Sequence, residues 1–362
     1  MPVRTEARAV CVLSIVAFAA TDPVKQIQDA VIVAAIIVSS DNFTLRINTM
    51  TDSIEASLGM LTTEGRNPLT RDLDNLSALE IVKLINAEDE KVVVAVREVS
   101  EPVAKAIDVI ADRLSRGGRL VYAGAGTSGR LGVLDAVECP PTFNTEPELV
   151  VGLIAGGPEG LVRAIEGAED SMDMGREDLQ KLGLENLDVV VGIAASGRTP
   201  YVIGALDYAR KCGAYAIGFS CNADAKLIQH ADLSIIPLVG PEVLSGSTRL
   251  KAGTATKMVL NMLTTGVMVR LGKTYSNLMV DVRASNSKLV ERACRIITTL
   301  TGCSGSQARE LLDRCDGEVK TAIVSQRLGI SAESARACLV SVQGHLRRAL
   351  ATDQSTGKKS RS

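Results

Sequence analysis

Arg119-Leu120-Val121-Tyr122-Ala123-Gly124-Ala125-Gly126-Thr127-Ser128-Gly129-Arg130 decides the fold. A short apolar run, Arg119–Ala123, enters a glycine-rich turn and then helix-forming sequence, as a buried strand does when it opens onto a helix amino terminus. A second stretch repeats the pattern. Asp188–Ala194 is apolar and leads through Ala195-Ser196-Gly197-Arg198-Thr199-Pro200 into a helix predicted to Lys211, with a stop at Gly213. Both stretches carry Ser-Gly-Arg, at Ser128–Arg130 and Ser196–Arg198. Leu149–Ala155, Ala214–Phe219 and Leu233–Leu238 read as three further strands. Helices are predicted around Leu161–Met174 and from Gly246-Ser247-Thr248 to about Leu271. Strands alternating with helices at this spacing specify an α/β fold, a parallel sheet flanked by helices, with ligands bound at the carboxyl ends of the strands.

On the amino-terminal side, Glu88–Arg116 reads as one long amphipathic helix with a stripe of Val92, Val96, Val99, Val103, Ile107 and Ile110, ended by Gly117-Gly118. On the carboxyl side, Thr301–Leu350 reads as a small three-helix module whose starts are marked by Ser304 with Gln307 and by Ser331. The expected organisation is an extension at 1–49, the sheet domain with its leading helices at 50–290, the three-helix module at 291–352 and a polar, basic, disordered tail at 353–362. The extension holds two apolar runs, Val10–Ala20 and Val31–Val38, both shorter than the roughly 20 residues a membrane span needs. Arg4, Arg8 and Ala17-Phe18-Ala19 give it the look of an export signal. The alternative, preferred here, is an upstream extension with Met50 as the working start.

Composition narrows the function. The chain has 362 residues, 46% hydrophobic and 2% aromatic, with a net charge of −2. Neither the basic footprint nor the stacking rings of a nucleic-acid binder are present. Eight cysteines form no C-x-x-C pair, and two histidines leave little for a metal site or a catalytic triad. Reduced thiols in the cytoplasm, no metal and no cofactor are the expectation.

The first loop matches G-x-G-x-x-G through Gly124, Gly126 and Gly129, but Glu146 and Glu148 are poorly placed to serve as a ribose-binding acid. Thr127 and Ser128, with backbone N–H groups at a helix start, suit a phosphate monoester better. In the second loop Ser196, Gly197, Arg198 and Thr199 precede Pro200, a residue suited to a first helical turn. Their hydroxyls and N–H groups either converge on one anion or only cap the helix. Ser245, Ser247 and Thr248 form a third hydroxyl cluster. Three acids stand out. Glu138 precedes Pro140-Pro141 near a predicted helix end, where the dipole disfavours it. Glu169 lies in Glu166-Gly167-Ala168-Glu169-Asp170, and Glu242 directly follows the fifth strand. Glu138 and Glu169 each have a plain alternative as a solvated surface acid.

These residues resemble the N-acetylmuramic acid 6-phosphate etherases. The resemblance covers Met50–Leu350. It rests on Leu61–Gly65, Gly124–Gly132, Leu134–Pro141, Glu166–Asp170, Ala195–Tyr201, Gly246–Arg249 and Asn277–Val282. It implies a flavodoxin-like sugar isomerase (SIS) domain with a ubiquitin-associated-like module. It further implies a cytoplasmic homodimer with phosphosugar sites near the subunit interface and no membrane or nucleic-acid partner. The family's acid/base pair maps onto Glu138 and Glu169, with Glu138 expected to protonate the leaving lactate and Glu169 to remove the C2 proton, or the reverse. Gly126, Thr127, Ser128, Ser196, Gly197, Arg198, Thr199, Glu242 and Ser247 are the expected substrate and phosphate contacts. Leu250 and Thr256 depart from the family pattern of Met and Gln. Two rivals use the same loops: an aldose–ketose isomerase with Glu242 as base, and a phosphosugar-binding regulator of a sugar kinase, expected to carry two tandem SIS domains.

Overall fold

Helix α1, Ala78–Glu98, begins at a reciprocal cap: Ser77 Oγ accepts from Glu80 N while the Glu80 carboxylate accepts from Ser77 N at 2.8 Å. The computed structural model describes residues 62–282 and 287–351, all within one compact unit. The export-signal and Met50 readings and the basic tail lie outside the described residues.

The predicted single helix to Arg116 is two helices, because α2 runs separately over Ser100–Ser115. Val99 leaves helical geometry (φ −102°, ψ 18°), and Pro102 supplies no N–H to carry the ladder across the joint. Strand β1 (Leu120–Gly124) enters α3 (Gly126–Phe143), and β2 (Val150–Ile154) follows. The expected helix around Leu161–Met174 is absent. A short α4 (Glu159–Val162), a 3₁₀ turn at Ala168–Asp170 and α5 (Met172–Lys181) replace it. Gly167 in the left-handed region (φ +74°) and Ser171, capping Met174 N, divide the segment. Then come β3 (Val189–Ile193), α6 (Pro200–Lys211), β4 (Tyr215–Phe219), β5 (Leu233–Ile235) and α7 (Lys251–Arg270).

The five strands are parallel in the order β2-β1-β3-β4-β5. The chain moves outward from β1 to β2 and then back across to β3. The switch point therefore lies between β1 and β3, where a ligand crevice opens. The strands read as continuous apolar runs, yet the pleat sorts them. Leu120, Tyr122, Val189, Val191, Ile193, Ile217 and Phe219 join α1, α2, α3 and α7 on one face. Val121, Ala123, Val190 and Ala216 join α6 on the other. Buried Asp188 aligns the strand starts, accepting from Arg119 N at 2.8 Å and from its guanidinium at 2.6 Å.

The carboxyl part is helical. The three expected helices are α9 (Gly305–Arg314), α10 (Val319–Leu328) and α11 (Ala332–Ser341), with Ser304 and Ser331 capping as predicted. Two more, α8 (Ser287–Thr301) before them and α12 (Leu346–Ala351) after them, share their apolar core with Val280 and Val282. Among the described residues, no helix is long and apolar enough to cross a membrane.

Candidate functional site

The first loop is shaped by contact. A Cβ on Gly129 would lie 2.6 Å from Gly124 O, so strand end and helix start touch backbone to backbone. Gly126 opens α3 with φ +52°. Close packing at Gly124 and Gly129 and the positive φ of Gly126 account for the three glycines without a dinucleotide. Thr127 and Ser128 sit half-buried in the first turn of α3. The second loop turns at Gly197 (φ +67°), where a Cβ would lie 2.2 Å from Ala225 Cβ. Ser196 Oγ accepts from Arg198 N at 3.3 Å. Thr199 does not cap α6 with its side chain; its carbonyl accepts from Val202 and Ile203, and the residue is half-buried.

The third loop reaches the others in two ways. A Cβ on Gly253 would lie 3.7 Å from Thr127 Cγ2, so the first turns of α3 and α7 run side by side. Gly246 N donates to Thr63 O at 3.3 Å, and Glu64 leans over Gly246. Thr63 N in turn donates to Asn222 Oδ1 (3.3 Å), and Asn222 Nδ2 donates to Ala195 O (2.8 Å), the residue before Ser196. Ser220 Oγ donates to the same carbonyl at 3.1 Å. This buried frame of Thr63, Ser220 and Asn222 was not legible in the sequence, since no local motif marks residues far apart in the chain. The structure thus brings Gly126, Thr127, Ser128, Ser196, Gly197, Arg198, Thr199 and Ser247 to one edge of the sheet. N–H groups at two long helix starts and several hydroxyls meet there, which suits a phosphate.

Glu242 has another task. It is fully buried, and its two oxygens accept from Lys251 N (2.9 Å) and Ala252 N (3.0 Å). It therefore caps α7; both oxygens of the expected substrate contact and isomerase base are engaged by these amides. Burial pushes its carboxyl up against the opposing pull of the two amides.

Glu138 stands apart. The predicted Pro-Pro stop is no stop: α3 continues through Pro140 and Pro141 to Phe143 and is closed by Asn144 in the left-handed region. Exposed Glu138 lies on this helix about 18 Å along the axis from Gly126 at ~1.5 Å per residue. It borders a cavity of about 390 Å³ between α3 and α7. In that wall Tyr122 Oη donates to Asp135 Oδ2 (2.9 Å) and Thr264 Oγ1 to Asp135 Oδ1 (3.2 Å). Burial raises the Asp135 carboxyl and holds the Tyr122 phenol protonated. Glu169 is exposed on the 3₁₀ turn that packs beside α6, next to buried Ala168.

The N-acetylmuramic acid 6-phosphate etherase of Rhodopirellula baltica is 61% identical over 295 residues, 82% of this chain and 98% of that protein. The one from Vibrio campbellii is 57% identical over 303 residues, 84% of this chain and 98% of that protein. The chain belongs to the N-acetylmuramic acid 6-phosphate etherase family. Within this etherase, residues 102–210 match the glucokinase regulatory protein N-terminal SIS domain and 175–266 match the SIS domain. Residues 276–322 match the C-terminal lid domain of glucokinase regulatory protein. A solved phosphoheptose isomerase GmhA from Neisseria gonorrhoeae is similar at 18% identity and a TM-score of 0.41, over 53% of the etherase and 98% of that chain.

Proposed function

We propose that the chain cleaves the D-lactyl ether of N-acetylmuramic acid 6-phosphate, giving N-acetylglucosamine 6-phosphate and D-lactate in the cytoplasm. The observation that carries this reading is identity of 57–61% across nearly the whole length of curated etherases, with both expected carboxyl groups present.

The phosphate rests on the three loops at the sheet edge. With the sugar ring open, the C1 aldehyde acidifies C2–H. Glu169 takes that proton, the C–H electrons form the C2–C3 double bond, and the C3–O bond breaks. Glu138 gives its proton to the departing oxygen, so lactate leaves as a neutral alcohol rather than an alkoxide. Glu138, now ionised, draws a proton from water as its oxygen bonds to C3, and C2 regains a proton from Glu169. One carboxyl must begin ionised and the other protonated.

The distance along α3 bears on assembly. One phosphosugar held at Thr127 and Ser196 does not extend to Glu138 of the same chain. A homodimer answers this if each Glu138 serves the loops of the other copy. Leu134 and Val137, 49% and 58% exposed beside Glu138, give that face the apolar character of a subunit contact.

Release of D-lactate from N-acetylmuramic acid 6-phosphate tests the reading. The parent should release it, and Glu138→Ala and Glu169→Ala should not. Phosphosugar binding with no lactate from the parent would instead favour a regulatory protein.

A further inference from the structure

We propose that the cavity beside Glu138 receives the lactyl arm of the substrate and that Lys257 recognises its carboxylate. This rests on the etherase reading and adds a residue to it.

The substrate then carries two anions of different kinds. The phosphate is met by N–H groups and hydroxyls at the sheet edge. The carboxylate sits on the carbon bonded to the ether oxygen. A group that protonates that oxygen must therefore lie close to the carboxylate, and Glu138 has that task. A lactyl carboxylate that leaves water for a half-enclosed space beside Asp135 and Glu138 needs a cation to offset its lost hydration. Two acidic side chains, Asp135 and Glu138, and one basic one, Lys257, line the cavity, and Lys257 is the cationic type among them.

Lys257 is held for the purpose. With the Asn261 amide oriented to satisfy both partners, Asn261 accepts from Lys257 Nζ at 2.8 Å and donates to Asp135 Oδ1 at 3.3 Å. Asp135 is fastened by Tyr122 and Thr264. One N–H of the ammonium is used in this chain of bonds, and two remain for a ligand. Leu131, Leu134 and Phe143 supply an apolar wall for the lactyl methyl. The cavity volume, about 390 Å³, lies in the range of small-molecule sites.

The test compares two substrates, N-acetylmuramic acid 6-phosphate and its lactyl carboxamide, in the parent, Lys257→Met and Lys257→Arg. Parent turnover of the acid establishes the etherase reading separately. Lys257→Met should lower kcat/KM for the acid by about 10–100-fold, the worth of one charge-assisted hydrogen bond. It should leave the amide within about threefold of the parent, so that acid-over-amide preference collapses. Lys257→Arg should restore much of that preference. Inhibition by N-acetylglucosamine 6-phosphate, which has no lactyl arm, should be unchanged throughout. Equal losses on acid and amide, or a Lys257→Met variant with the parental preference, would overturn the assignment. A parent that releases neither lactate from the acid nor lactamide from the amide would remove its foundation.

Discussion

Lys251 Nζ stands 2.7 Å from Glu88 Oε2, with the two side chains 1% and 2% exposed. The pair joins α1 to the first residue of α7. Asn67 Nδ2 adds a 2.9 Å bond to the same Glu88 oxygen, and Lys91 approaches the other. The segment that carries Thr63 is thereby tied to the helix that opens behind the third loop.

Removing one member should be costly. Glu88→Gln leaves a buried ammonium without its counter-charge, a change worth about 3–5 kcal/mol. Urea unfolding should register that loss, and the double variant Glu88→Leu/Lys251→Met should recover much of it. Losses under about 1 kcal/mol in the single variant would mean that water reaches the pair.

Acid should act through the same group. Burial pushes the Glu88 carboxyl up, but bonds from Lys251, Lys91 and Asn67 and the Lys251 charge outweigh it, so it titrates below its ordinary value of 4.5. A carboxyl lowered in the folded state adds stability above its unfolded pKa and loses it as pH falls through the folded pKa. The urea midpoint should therefore drop below about pH 4.5 in the parent. In Glu88→Gln that part of the slope should be missing.

Glu242 should behave as a cap. Glu242→Ala strips two buried amides of their acceptor and should cost about 1–3 kcal/mol. Lactate release, measured well below the unfolding transition, should stay within about threefold of the parent. A collapse of kcat at unchanged stability would return Glu242 to the chemistry.

The two glutamates can be told apart by exchange at C2. In deuterated water, Glu138→Gln should still wash out the C2 hydrogen while lactate release falls by about 10²–10⁴-fold. Glu169→Gln should lose both signals. The opposite pattern would exchange their roles.

A composite site predicts complementation. Glu138→Gln and Ser196→Asp proteins should each be inactive alone. After subunit exchange, an equal mixture should regain about a quarter of parental activity, because half the dimers are mixed and each mixed dimer has one intact site. No recovery, with exchange verified, would put Glu138 and the loops of one chain at the same site.

What the sequence by itself determined is local. Apolar runs at Leu120–Gly124 and Val189–Ile193, the Ser-Gly-Arg loops, Pro200 at a helix start and the Ser304–Gln307 cap all act within a few residues, so each was legible in chain order. Local signals also misled. The prolines after Glu138 read as a stop, yet packing of α3 on the sheet and on α7 carries the helix past them. The run to Arg116 read as one helix because its apolar spacing continues across Val99 while Pro102 breaks the ladder. Only the tertiary structure decided the employment of Glu242, the pairing of Glu88 with Lys251, and the Thr63–Asn222–Ala195 frame. Each joins residues distant in sequence, and a side chain's partners there depend on how sheet and helices stack. The separation of Glu138 from the Ser-Gly-Arg loops belongs with these, because it follows from the full length and direction of α3 in the fold.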